Sequence, residues 1–167
     1  MPNGKTHKYV GVTAGLGFAA YQAKEQKGSD FWMEVFGGAV GGWPGARLPD
    51  IFEPAISSYH RGIAHSLTTG SVIVSQIPRL SEAVNYCREQ AEQCKANPRR
   101  VLLIAVEGGV FPIELSPGVG QFLSAIEQLL WRFLAGSLNG AVAGYVSHLA
   151  LDGVVGKRSI PLITKGC

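Results

Sequence analysis

Charge is scarce in this sequence. Asp, Glu, Lys and Arg make up 16% of its 167 residues, against roughly a quarter in an ordinary soluble domain. Apolar residues supply 46%, and 22 glycines add to them. So little solvating surface, with such heavy use of glycine, argues against an ordinary soluble helical domain whose histidines merely cap and pair. It points to a chain that hides surface against partners or lipid. Basic runs are also missing. The longest are the pairs Arg99-Arg100 and Lys157-Arg158, and the net charge is only +3. Direct binding of nucleic acid, which needs a concentrated basic footprint, is therefore not expected.

Thiol frameworks and long apolar runs are absent too. Cys87 and Cys94 are seven apart, which on a helix leaves them about 10 Å apart along the axis. A disulfide needs its Cα atoms within roughly 7 Å, so reduced thiols are expected, as suits a cytoplasmic face. No segment is as apolar as a single-pass anchor, which needs about 20 predominantly apolar residues. Residues 133–151 come nearest. Residues 9–23 follow a basic start but are glycine-rich and lack a clean cleavage site, so they read as a retained first helix rather than a signal peptide.

The length fits one domain, residues 1–167. Its punctuation predicts an all-α fold, a compact bundle of about four to five helices, several short and glycine-rich, embedded in or associated with a membrane. A first helix is expected over residues 6–24. A second starts near Phe31, capped by Ser29 or Asp30. It carries Gly37-Gly38 and Gly41-Gly42, which weaken a helix in water but suit close backbone approach. Prolines 44 and 49 mark a loop. A third helix is expected from near His60 to about Gln76. Residues 80–97 read as a polar amphipathic helix, with Leu80, Ala83, Val84, Cys87 and Ala91 on its apolar face. Residues 101–106 are a short apolar run, and Pro112 and Pro117 keep the next stretch irregular. A long last helix is expected over residues 119–152.

The four histidines are His7, His60, His65 and His148, and each lies near groups able to share a polar site. His148 and Asp152, spaced i, i+4 on the last helix, project from one face and make a sound pair of ligands for one ion. A surface pair at a helix end is the alternative. His60 and His65 are about 140° apart on a regular helix, so they need an irregular backbone near Gly62 or separate duties. Asp50 follows Pro49, where an N-cap is the commoner fate. Imidazoles and carboxylates without a nearby thiolate suggest a divalent ion held by nitrogen and oxygen.

Leu48-Pro49-Asp50-Ile51, His60-Arg61-Gly62-x-x-His65-Ser66 and Gly144-Tyr145-x-Ser147-His148-x-x-x-Asp152 occur in an order that resembles the YdjM-like family. Its members are inner-membrane-associated, metal-dependent hydrolases, also linked to binding of the SOS repressor LexA. Thr6-His7 stands where that family has a histidine ahead of its first helix. The resemblance implies metal ligation by His7, Asp50, His60, His65, His148 and Asp152. One departure stands out: the family has Asp-Ile-Asp after the proline, and this chain has Asp50-Ile51-Phe52-Glu53.

The expectation is a hydrolase at the inner (cytoplasmic) membrane, integral or peripheral. A divalent ion, zinc first with manganese or iron as alternatives, lowers the pKa of a bound water. Asp50 or His65 serves as general base or acid. Arg61 neutralises an anionic oxygen. The substrate expected is a phosphoester or ester, small or lipid-like, with membrane lipid and a protein as further partners. The alternative is a non-catalytic membrane partner or regulatory protein with a structural metal site.

Overall fold

The computed structural model describes residues 4–52, 71–72, 75–106 and 109–155. Helix α1 spans Gly4–Gln22 and α2 spans Gly28–Gly45. A short helix α3 spans Leu48–Phe52, and α4 spans Ile77–Ala96. Strands β1 (Val101–Val106) and β2 (Gly109–Glu114) form an antiparallel hairpin. Helix α5 runs from Pro117 to Val155, 39 residues, about 58 Å long. The described chain is mainly helical and its helices pack compactly. No helix of the described residues is long and apolar enough to cross a membrane.

The second helix begins earlier than its capping residues suggest. Gly28 takes φ 59°, a left-handed turn glycine adopts without strain, and the helix starts there. Asp30 then lies in the first turn instead of capping it, where a carboxylate still favours the positive end of the dipole. Pro78 starts α4 at its N1/N2 position, where a missing N–H costs nothing. The expected helix from His60 lies mostly outside the described residues.

Glycine sets the distance between α1, α2 and the C-terminal half of α5. A Cβ on Gly37, Gly41 or Gly45 would stand 2.1–2.2 Å from the carbonyl oxygens of Phe133, Ser137 and Ala141 on α5. Seen from α5, Gly140 and Gly144 meet Gly38 and Gly42 in the same way. Gly11 and Gly15 on α1 complete the seam against Gly42 and Gly38. Backbones touch along the whole contact, so few large side chains are buried there. A second, conventional core joins α4 to α5. Val84, Cys87 and Ala135 are buried, with Leu80, Trp131 and Leu138 against them. Ala91 is also buried on the expected face of α4, whereas Ala83 is exposed. Cys87 and Cys94 are both free thiols.

Between these two cores lies a buried ionic network. Glu34 of α2 and Arg132 of α5 are 0% and 1% exposed. Arg132 Nη1 donates to Glu34 Oε1 at 3.0 Å, and its Nη2 reaches Glu92 and Asp30. Arg88 of α4 grips Glu34 from the other side through Nε and Nη2 and donates to the Gln22 carbonyl. Gln128 donates to Asp30 at 2.7 Å. A lone buried carboxylate would cost several kcal/mol; two guanidiniums share this one, tying α1, α2, α4 and α5 together.

The hairpin departs from the all-α expectation. Residues 101–106 form a strand because 109–114 pairs with it, and Pro112 sits opposite Leu103. A proline is tolerated there only if its missing N–H points out of the ladder. Among the described residues, each strand packs extensively on the other strand alone.

Candidate metal centre

The bundle brings the N-terminal end of α1, the C-terminal end of α2 and the C-terminal end of α5 together. Three expected ligands meet there. His7, His148 and Asp152 are all buried, and one donor atom from each lies within 4.8 Å of the others. Asp152 Oδ1 is 3.5 Å from His7 Nε2, and its Oδ2 is 3.6 Å from His148 Nε2. The two imidazoles stack with centroids 4.0 Å apart. Asp50, on α3, approaches from outside. Its Oδ1 lies 3.7 Å from His148 Nε2, and its side chain is 41% exposed.

The local sequence explains each position. The i, i+4 spacing of His148 and Asp152 puts both on the bundle-facing side of α5. Gly144, one turn earlier, lets α5 lie against the α2 backbone at Gly42. Gly11, one turn after His7, does the same for α1 against Gly42 and Ala46. Asp50 lies in a short helix instead of a loop, following the fully buried Pro49.

The hydrogen bonding of His148 fixes its tautomer. Its Nδ1 is 2.6 Å from the Ala46 carbonyl oxygen. A carbonyl can only accept, so Nδ1 carries the proton and donates. In the neutral ring the Nε2 lone pair then faces Asp50 and Asp152. A positive charge is stabilised beside such a lone pair and two carboxylates, and a bound metal cation is one charge that suits the position. Burial first, and neighbouring His7 second, hold the His148 pKa below its ordinary value. Asp50, the Ala46 carbonyl and Asp152 pull the other way without overcoming this. An N–H···O=C bond behind the coordinating nitrogen is how proteins orient histidine ligands.

The spacing leaves room for an ion between the donor atoms. Hydrogen bonds between these groups would bring the heavy atoms to about 2.7–3.2 Å. A tetrahedral ion with bonds of 2.0–2.1 Å holds its donors about 3.3–3.4 Å apart. The observed 3.5–3.7 Å separations lie nearer the second figure. His7 Nδ1 is buried without a hydrogen-bond partner among the described residues.

His60, Arg61, His65 and Glu53 lie outside the described residues. Of the expected ligands, His7, Asp50, His148 and Asp152 are therefore brought to one place. Sequence reasoning missed the Ala46 carbonyl, since a backbone acceptor leaves no signature in residue type. It also missed two cations that meet at Trp43. Lys8 follows His7, and its Nζ lies 5.9 Å from the Trp43 ring. Arg47 follows Ala46, and its guanidinium lies 5.7 Å from the same ring. The signal was available in Lys8 and Arg47 directly flanking site residues.

No family model, curated protein or solved structure matches this chain.

Proposed function

We propose that this chain is a membrane-associated, metal-dependent hydrolase similar to the YdjM-like family, cleaving a phosphoester or ester substrate. The observation that carries the reading is the cluster of buried His7, His148 and Asp152, with His148 Nε2 facing the carboxylates of Asp152 and Asp50 at 3.6 and 3.7 Å. His7, His148 and Asp152 would hold a divalent ion, and a nitrogen-and-oxygen donor set suits zinc first, with manganese or iron as alternatives. A divalent ion there supplies a water of lowered pKa and an electrophile for the substrate oxygen. Asp50, the most exposed of the four, stands on the open side and accepts the proton of the attacking water. By the resemblance, His65 shares that proton transfer or adds a ligand with His60, and Arg61 neutralises the anionic oxygen.

Two features support an anionic, amphiphilic substrate at a membrane surface. Lys8 and Arg47, next in sequence to His7 and Ala46, both put positive charge at the Trp43 ring. Trp32, Phe36, Val40 and Trp43 form one exposed apolar stripe along α2 that ends at those cations. Tryptophan with flanking cations is the usual pattern at the headgroup level of a bilayer. This stripe, the low charge and the resemblance support an inner-membrane location.

Burial of His7, His148 and Asp152 is also what a structural clasp in a non-catalytic partner protein would show. The two readings part on whether an ion there keeps an open position. Metal analysis of the purified protein, with titration of the stripped form, tests the site. Wild type should bind one ion per chain, and His148→Ala or Asp152→Asn should bind at least about tenfold more weakly. Stoichiometric binding that survives both substitutions, or no binding at all, overturns the site. A metal-loaded protein inert across a panel of phosphodiesters and esters favours the partner reading.

A further inference from the structure

We propose that β1 is a docking edge that pairs antiparallel with β1 of a second copy of this chain, making a four-stranded sheet around a twofold axis at Leu103. In an antiparallel ladder, facing residues alternate between hydrogen-bonded and non-bonded pairs. Leu115 N–H donates to the Arg100 carbonyl at 2.9 Å, so Arg100 and Leu115 form a bonded pair. Counting along the register makes Leu102–Ile113 and Ile104–Phe111 bonded and Val101–Glu114, Leu103–Pro112 and Ala105–Val110 non-bonded. Pro112 agrees, because a proline can occupy only a position whose N–H is not used inside the ladder.

The two outer edges therefore differ. On β2, the outward positions are Val110, Pro112 and Glu114. Pro112 lacks its donor and blunts that edge. On β1, the outward positions are Val101, Leu103 and Ala105, each with both N–H and C=O. This edge is a complete template for another strand.

The strand itself identifies the occupant. Residues 101–106 read Val-Leu-Leu-Ile-Ala-Val, uncharged, with basic Arg99-Arg100 before them and acidic Glu107 after them in sequence. Antiparallel self-pairing sets the basic flank of one copy against the acidic flank of the other. It keeps the two Arg100 residues at opposite ends of the paired strands, about 20 Å apart. With Leu103 on the axis, Val101 of each copy faces Ala105 of the other, and about six new backbone hydrogen bonds form. Leu103 is 67% exposed, and Val110 and Phe111 are also exposed. An isolated two-stranded hairpin is marginal in water, whereas three or more strands sustain themselves. Immersion of the hairpin in lipid would leave the β1 edge unsatisfied.

The test is the mass of the full-length protein in solution, in mild detergent where needed, by sedimentation across a concentration series. Wild type should show a monomer–dimer equilibrium. Leu103→Pro removes the outward donor at the axis, as Pro112 does on β2, without breaking a bond inside the hairpin. Leu103→Lys brings two like charges face to face at the axis. Either substitution should raise the dimer dissociation constant at least about tenfold, with unchanged circular dichroism and metal content. Should Leu103→Pro disturb the hairpin, Leu103→Lys decides. A wild type monomeric at every concentration overturns the proposal, and so does a dimer that both variants preserve.

Discussion

Substituting two glycines with alanine tests whether backbone contact sets the helix spacing. Gly41 faces α5, where an added Cβ would lie 2.1 Å from the Ser137 carbonyl oxygen and 2.8 Å from its Cα. Those are backbone atoms, so no rotamer can relieve the clash. α2 and α5 must separate by roughly 1 Å. Gly37 and Gly45 lie on the same seam, so a rigid helix opens along its whole length. Each atom pair contributes about 0.1–0.2 kcal/mol, and a gap of this size forfeits a quarter to a half of it. Over roughly 30 pairs this comes to about 1–2 kcal/mol, within the 1–3 kcal/mol typical of overpacking. Gly17 is the control. It lies mid-helix in α1, exposed, with nothing within 4 Å of the added Cβ. Gly17→Ala gains only helix propensity, about 0.5–1 kcal/mol. In a chain of this size 1 kcal/mol moves the thermal midpoint by roughly 2–4 °C. Gly41→Ala makes the same propensity gain, so thermal unfolding by circular dichroism under identical conditions should place Gly17→Ala a few degrees above wild type and Gly41→Ala several degrees below Gly17→Ala. A Gly41→Ala protein as stable as the Gly17→Ala protein would refute the argument that glycine sets the spacing.

Glu34→Ala leaves Arg132, 1% exposed, without its closest buried partner, and should cost about 3–5 kcal/mol in denaturant unfolding. Adding Arg132→Met should recover part of that loss; strict additivity of the two single costs would argue against the network. Acidification of the metal-free protein should lower its stability. Burial and His7 depress the His148 pKa, so the unfolded chain takes up that proton at a higher pH than the native protein does. The contribution is complete above the ordinary histidine range near 6.5 and is lost as pH falls through the lower native value. A midpoint that rises between pH 7 and pH 5 would contradict this. Arg99 and Glu127 pair at 2.7 Å on a partly exposed surface, and Arg99→Ala should change stability by less than about 1 kcal/mol.

The sequence made some of this legible and hid the rest for identifiable reasons. The i, i+4 pair of His148 and Asp152 was readable because helical periodicity alone puts both on one face. The close packing of α2 was readable because four glycines in six residues have little other use in a helix. His7 was not readable from its own surroundings, because its value depends on α1 lying antiparallel to α2, a tertiary fact. The Glu34–Arg132 pair left a faint signal: Arg132 is the lone charge in an apolar run from 129 to 138. Its partner, 98 residues away, has no local trace. The hairpin was hidden by Pro112, which counts against a strand until edge and interior positions can be told apart.

The donor set also bears on the order in which the chain matures. His7 and Asp50 leave the ribosome long before His148 and Asp152. Helices α1 and α2 can meet early, yet their glycine faces wait for the C-terminal half of α5. Until then those backbones lie bare, and the nascent chain is exposed to misassembly. A metal captured at the end would close a loop of well over a hundred residues. It would draw the equilibrium toward the finished bundle in proportion to the free ion concentration, and so act as a check on completed synthesis.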